Sequence, residues 1–131
     1  MLSVLYVSTM NVEYSQDDFD ILLNIFRNSN HEHNITGLML YCGNNNIIQY
    51  LEGPNKSIER LYENISNDSR HKDVKTLLYQ KIDERIISDW NLLYKPISDK
   101  TFQDFIESCT NAKNDDHIKK ILNKFIKTYK K

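Results

Sequence analysis

Glycine and proline are scarce in this chain, three and two residues among 131. Loop-rich, linker-rich and repeat architectures need more of both, so a single domain of regular elements with one core is expected. Cysteine is equally rare: Cys42 and Cys109 form no CxxC or other metal-ligand spacing. Cys42 lies in an apolar run, where a buried reduced thiol is the ordinary role. No apolar stretch approaches transmembrane length. The N-terminus lacks a basic n-region, and its apolar run is short and broken by serines, unlike a secretory signal. Asn-x-Ser/Thr triplets such as Asn34-Ile35-Thr36 and Asn64-Ile65-Ser66 then say nothing of glycosylation, and a cytoplasmic location is expected. Net charge is nearly absent at -1, which argues against a general nucleic-acid binder. The charge is unevenly placed, however. Residues 1–53 carry six acids and one base, Arg27, whereas residues 113–131 carry seven lysines against Asp115 and Asp116.

What is present reads as alternating strands and amphipathic helices. Residues 2–8 form a first strand. Ser15 with Asp18 resembles a capping box, and Phe19, Leu22, Leu23 and Phe26 follow at helical spacing. That helix is expected to fade near Asn30. Two apolar, β-favouring runs, Ile35–Cys42 and Ile47–Leu51, flank the turn signal Gly43-Asn44-Asn45-Asn46. A second helix, entered through Gly53-Pro54-Asn55, carries Ile58, Leu61, Tyr62 and Ile65. Val74–Ile82 predicts a fourth strand and Trp90–Ile97 a fifth.

The order βαββαβ predicts an α+β, ferredoxin-like sandwich with two helices across one face of the sheet and an extra strand. The other face also needs cover, and the tail can provide it. Phe102, Phe105, Ile106 and Cys109 make one apolar stripe; Ile118, Ile121, Leu122, Phe125, Ile126 and Tyr129 make a longer one. Residues 1–97 are therefore expected to form the core, and residues 98–131 a C-terminal helical extension on the back of the sheet.

This fold hosts many unrelated activities, so function has to come from particular side chains. Gln49 interrupts the apolar run Ile47-Ile48-Gln49-Tyr50-Leu51. An amide buried without partners costs about 1–3 kcal/mol, so it implies a specific partner. By alternation Gln49 shares a face with Ile47 and Leu51, and Tyr6 shares one with Leu2, Val4 and Ser8. If the first and third strands are neighbours, Tyr6 and Gln49 meet beneath the two helices. Each alone could be a satisfied core polar residue; as a pair in an apolar layer they are harder to dismiss. Asn30 has a bland role as helix C-cap. Arg70-His71, closing Asp68-Ser69-Arg70-His71, has one as complement to the helix dipole.

Together these elements resemble the BLUF family, blue-light sensors using flavin. The resemblance rests on Leu5-Tyr6-Val7-Ser8, Asn30 ahead of Ile35-Thr36-Gly37, Gln49-Tyr50-Leu51-Glu52-Gly53, Leu61-Tyr62, Asp68-Ser69-Arg70-His71 and Asp89-Trp90. They follow the family's order and spacing from residue 2 to about 94. The resemblance implies a non-covalently held flavin, FAD or else FMN or riboflavin, between the helices. It implies that Asn30 reads the ring's C4=O and N3–H edge, that Gln49 links the Tyr6 hydroxyl to N5 and O4, and that Tyr6 donates the electron and proton. Tyr6, Ser8, Asn30, Gln49, Asn64, Asp68, Arg70 and His71 are the implied cofactor-binding residues, and Tyr6, Gln49 and Trp90 the photoactive ones. The chain departs from the family at Leu92, where a methionine often stands, and at Ser29, often Asn or His. Asn64 occupies a position that can hold a basic residue.

Two other functions fit the topology. One is a flavin-free ferredoxin-like interaction module, which the colour of the protein would distinguish. The other is an acylphosphatase-type hydrolase, but Thr9-Met10-Asn11-Val12 is no Gly-rich, Arg-bearing phosphate loop. His31, His33 and His71 lack the cysteine or acidic cluster that would make a metal site of them, and no metal is expected. A sensor turns over no substrate, so it is not an enzyme. With no output enzyme in the sequence, the expected partners are an unidentified effector protein and further copies of the chain, as homodimer or higher homo-oligomer. Nucleic acid and membrane are not expected partners.

Overall fold

The computed structural model describes residues 1–11 and 13–129; Val12, Lys130 and Lys131 lie outside it. The elements are β1 (Leu2–Met10), α1 (Gln16–Glu32), β2 (Thr36–Cys42), β3 (Asn46–Gly53), α2 (Asn55–Asn67), β4 (His71–Lys81), β5 (Leu93–Ile97), α3 (Asp99–Thr110) and α4 (Asp115–Tyr129). The sheet order is β4-β1-β3-β2-β5. Neighbours among the first four strands pair antiparallel, and β5 joins β2 in parallel. This is the expected ferredoxin-like arrangement with one strand added at the β2 edge.

Alternation along the central strands feeds two different cores. Leu5, Val7, Leu38, Leu40, Ile48 and Tyr50 face the back, where Phe102, Phe105 and Cys109 of α3 and Leu122 and Ile126 of α4 cover them. On the front, α2 packs Ile58 over Leu2, Val4, Tyr6 and Leu51. Also on the front, α1 packs Phe19 and Leu23 over Met10, Met39 and Ile47. The two front clusters are separate, so the helices straddle the sheet with a gap between them.

Local signals explain most boundaries. The Ser15 side chain caps α1 by accepting from the Asp18 amide at 3.2 Å. Asn45 takes the left-handed conformation (φ 66°) in the β2–β3 turn. Gly37 is required by close approach, since a Cβ there would lie 2.3 Å from the Tyr50 carbonyl oxygen.

Three expectations need correction. Helix α1 runs past Asn30 to Glu32 and is closed by His33, because no breaker stands at residue 30. Strand β4 begins at His71 rather than Val74; register shifts opposite Leu5/Tyr6 and Val7/Thr9 break the alternation that would have marked it. Strand β5 begins at Leu93, because residues 90–92 are spent on side contacts: the Trp90 carbonyl accepts from the Gly37 amide at 3.0 Å. Among the described residues no helix is long and apolar enough to cross a membrane.

Candidate functional site

The gap between α1 and α2 is a cavity of about 250 Å³. Its floor is the sheet, where register pairs Tyr6 of β1 directly with Gln49 of β3. Ile25 and Phe26 of α1, Leu61 and Ile65 of α2, and Met10 and Met39 from the sheet supply apolar walls. Asn30, Asn64, Asp68, Arg70 and His71 stand among them. Apolar walls with a few convergent polar groups are the usual make-up of a small-molecule site. A broader depression between α3 and α4, lined by Asp104, Glu107 and His117, opens on the surface and converges no buried polar groups.

Tyr6 is wholly buried and its hydroxyl donates to the Gln49 Oε1. Burial, with the neighbouring Tyr62 adding to it, pushes the phenol well above its ordinary pKa, so Tyr6 keeps its proton at any physiological pH. With Oε1 taken, Gln49 Nε2 is the donor left at the cavity wall. A register shift on β4 falls beside Tyr6, between its partner Thr76 and Leu78, and places Leu77 and Leu78 together in the back core. Bulges of this kind occur next to functional sites.

Asn30 is buried inside α1 two residues before its end, so it is not a cap. Its Nδ2 donates to the Asn91 carbonyl at 2.8 Å. One N–H is committed there, and the amide still offers one donor and one acceptor at the cavity. Asn91 in turn donates from Nδ2 to the Ile35 carbonyl at 3.0 Å, and Arg27 Nε donates to the Leu92 carbonyl at 3.1 Å. Residues 91–92 are thereby tied to α1 and to the segment just before β2. Sequence alone missed this, because backbone carbonyls leave no residue signature.

Arg70 and His71 lie beyond α2, whose last residue is Asn67, and so do not complement its dipole. Arg70 instead pairs with Asp68, its Nη2 2.6 Å from Oδ2. Those hydrogen bonds hold the Asp68 carboxyl at about 2. His71 opens β4, and its Nδ1 stands 3.3 Å from the Ser8 hydroxyl, with burial lowering its pKa. Ser8 is buried and supports His71 without lining the cavity. Trp90 packs against the back core, away from the cavity, whereas Leu92 is buried with the α1 cluster on the front. The structure thus brings Tyr6, Gln49, Asn30, Asn64, Asp68, Arg70 and His71 to one cavity and sets Trp90 apart.

One buried acid went unnoticed in sequence. Glu52 is fully buried and accepts from the Tyr50 hydroxyl at 2.8 Å and from the Ile86 and Ile87 amides. It pins the β4–β5 connection to β3, the strand that carries Gln49. Only the preceding "Leu-Glu-Gly" context marked it, and that pattern has no chemistry of its own.

Fold and cavity define a ferredoxin-like domain with an apolar-walled cavity, edged by a few polar groups, over a tyrosine–glutamine pair. The chain belongs to the BLUF family: the family model described as "Sensors of blue-light using FAD" matches residues 1–93. "Photoactivated adenylate cyclase subunit beta" of Euglena gracilis is 31% identical over 93 residues, 70% of this chain and 11% of that protein. The alpha subunit from the same organism is 35% identical over 86 residues, 66% of this chain and 8% of that one. The chain therefore spans about a tenth of the length of these relatives. Among solved structures, the ground state of BlsA is similar with a TM-score of 0.68 and 30% identity, covering 81% of this chain and 70% of that one. The dark state of BlrB, a BLUF protein, covers 97% of this chain and 95% of its own at a TM-score of 0.73. At 23% identity that likeness concerns the fold.

Proposed function

We propose that this domain is a cytoplasmic blue-light sensor that holds FAD non-covalently in the α1–α2 cavity and signals by rearranging the Gln49 hydrogen bonds. The observation that carries it is the Tyr6–Gln49 pair in register at the cavity floor, with the second half of the Gln49 amide unspent. The lining suits a flavin ring. Apolar walls accept its faces, and the spare donor and acceptor of Asn30 suit an imide edge. That edge is common to FAD, FMN and riboflavin; the family's description favours FAD.

When bound, flavin supplies the absorption of blue light and an excited acceptor for one electron. Tyr6 would be the residue that lends such an acceptor an electron and its phenolic proton, and Gln49, which holds that hydroxyl, would be the proton's path; their return to Tyr6 would leave no net redox change. What remains is the Gln49 amide with donor and acceptor exchanged, a change that needs no covalent bond to break. A carboxylate or a leucine at this position could not make the exchange. No substrate is turned over, and the dark state returns spontaneously.

For output, we infer that the altered floor is felt by residues 90–92 through Asn30 and the Asn91 carbonyl, then by α3 and α4 behind the sheet. The receiver is an effector protein or a second copy of the chain, with residues 98–131 as the responsive surface. The photoactivated cyclase subunits that match about two-thirds of the chain make an effector coupling reasonable.

The test is spectroscopic. Purified protein, supplied with FAD where needed, should be yellow, release intact flavin on denaturation, and show a reversible red shift of the flavin band under blue light. Tyr6→Phe and Gln49→Leu should each retain flavin and lose that shift. A protein that stays colourless with added FAD ends the sensor reading in favour of a flavin-free interaction module.

A further inference from the structure

Tyr6 is the inner end of a row of rings. Tyr62 of α2 meets it edge-on, with centroids 6.2 Å apart at 78°, and Tyr62 meets Tyr79 of β4 at 5.7 Å and 70°. Tyr6 is wholly buried, Tyr62 is half-buried and Tyr79 is 43% exposed. The three rings therefore lead from the cavity floor to solvent. Edge-to-face contact is ordinary aromatic packing, and packing alone would account for any one of these rings. Two further features single out the row.

The first is the irregularity of β4. Thr76 pairs with Tyr6 and Tyr79 with Val4, and both partners belong to the front cluster. Thr76 and Tyr79 are three residues apart, so strict alternation would send them to opposite faces. The register shift opposite Leu5/Tyr6 re-phases the strand: Leu77 and Leu78 both go to the back core, and Tyr79 returns to the front against Tyr62. The second feature is an exit for a proton. The Tyr62 hydroxyl is hydrogen-bonded to that of Thr76, an exposed residue, whereas the Tyr6 hydroxyl is held by Gln49 in the interior. A phenol that has lost an electron is a strong acid, and burial disfavours its charged form. An oxidising equivalent is thus better accommodated on a ring whose proton can reach water.

We propose that Tyr6, Tyr62 and Tyr79 form a relay that carries an oxidising equivalent from the cavity floor to the surface, where Tyr79 takes an electron from a small dissolved reductant such as a thiol or ascorbate. The proposal rests on the sensor reading, which supplies a light-excited one-electron oxidant beside Tyr6. Tyr62 gives an electron to oxidised Tyr6 before the Tyr6 hydrogen has left for Gln49, and the Tyr62 phenolic proton passes by way of Thr76 to water. Tyr79 then gives Tyr62 an electron and loses its own proton to solvent, while Tyr62 regains a proton through Thr76. The dissolved donor, itself oxidised by one electron, reduces the Tyr79 phenoxyl, which takes back a proton from water. All three tyrosines are restored, and one electron has moved from the donor to the oxidant in the cavity. This is a branch from the sensor cycle, taken when Tyr62 refills Tyr6 before the first electron returns.

The experiment illuminates the whole flavin-loaded chain with blue light under nitrogen, in the presence of the spin trap dimethylpyrroline N-oxide, and locates the adduct by peptide mass spectrometry. The trap should label Tyr79 in the light and not in the dark. Ascorbate supplied in place of the trap should be oxidised in the light. Tyr62→Phe keeps the ring but is far harder to oxidise; it should retain the flavin red shift and lose both the Tyr79 adduct and ascorbate oxidation. Tyr79→Phe, at an exposed position, should likewise keep the red shift and lose ascorbate oxidation, which decides the matter even if Tyr62→Phe does not fold. A normal red shift with no light-dependent adduct on Tyr79 overturns the relay and leaves the sensor reading standing. Labelling undiminished in Tyr62→Phe, or parent-like ascorbate oxidation in Tyr79→Phe, overturns it too, since the oxidant would then reach the surface by another path. A protein that stays colourless with added FAD takes both readings down.

Discussion

Tyr6 has a single acceptor for its phenolic hydrogen, the Gln49 amide, and no water-facing surface. Its raised pKa therefore makes it a proton source only after oxidation, never a resident phenolate. Asn30 presents the complementary case of a buried cavity amide with one N–H committed, to the Asn91 carbonyl. Asn30→Ala should weaken flavin retention by about 1–3 kcal/mol, read as faster flavin dissociation, with a smaller effect on the red shift. Unchanged dissociation would mean that the amide serves only to anchor Asn91. Asp68 allows a cleaner electrostatic check. The Arg70 hydrogen bonds hold its pKa at about 2, below the ordinary 3.8. A depressed carboxyl pKa stabilises the fold fully above the unfolded value, and that contribution is lost as pH falls through the folded one. The Asp68 carboxyl resonance should titrate near 2, and Arg70→Ala should return it towards 3.8. Because the Arg70 side chain is nearly half exposed, the pair adds at most about 1 kcal/mol to stability.

At the scale of elements, α3 and α4 do more than decorate the sheet. Their apolar stripes supply five of the fourteen buried residues of the back core, and Phe105, buried at 3% exposure, also packs against Phe125 with centroids 4.6 Å apart. Phe105→Ala should cost about 3–5 kcal/mol in denaturant unfolding. Cutting the chain after Ile97 would uncover Leu5, Val7, Leu40, Ile48 and Tyr50 at once. Such a deletion reports on stability before it can report on signalling, so output is better probed in the whole chain. Of the lysines on and around α4, Lys120, Lys124 and Lys127 are exposed and Lys119 is partly buried; Lys130 and Lys131 lie outside the described residues.

For the whole molecule, the question is how a change of hydrogen bonding on the front reaches the back. Two ties reach the β4–β5 connection: Asn30, from the cavity, to the Asn91 carbonyl, and Glu52, from the strand that carries Gln49, to the Ile86 and Ile87 amides. Both end beside residues that pack on α3 and α4, among them Ile87 and Trp90. Light should therefore change amide hydrogen exchange between residues 86 and 129 more than at the distant β4 edge. If exchange is identical in light and dark beyond residue 86, the tail is passive cover and the signal leaves by another surface. Light-scattering in both states would show whether the receiver is a second copy.

The sequence alone determined the element order, the two faces of the central strands and the pairing of Tyr6 with Gln49. Period-two alternation and the βαββαβ order are enough to place those two side chains on one face of adjacent strands. The ordered motifs then pointed to flavin. Tertiary structure decided what depends on contacts between distant backbones. Asn30, which the residues by themselves also allowed as a helix cap, is a cavity residue anchored to the Asn91 carbonyl, a contact that only the fold creates. Trp90 and Leu92 went to opposite faces, because the residues leading into β5 are irregular and follow no alternation. The shift of β4 and the burial of Glu52 were equally hidden, since a bulge erases the periodic signal and an acid in a strand reads as solvent-facing until its partners are known.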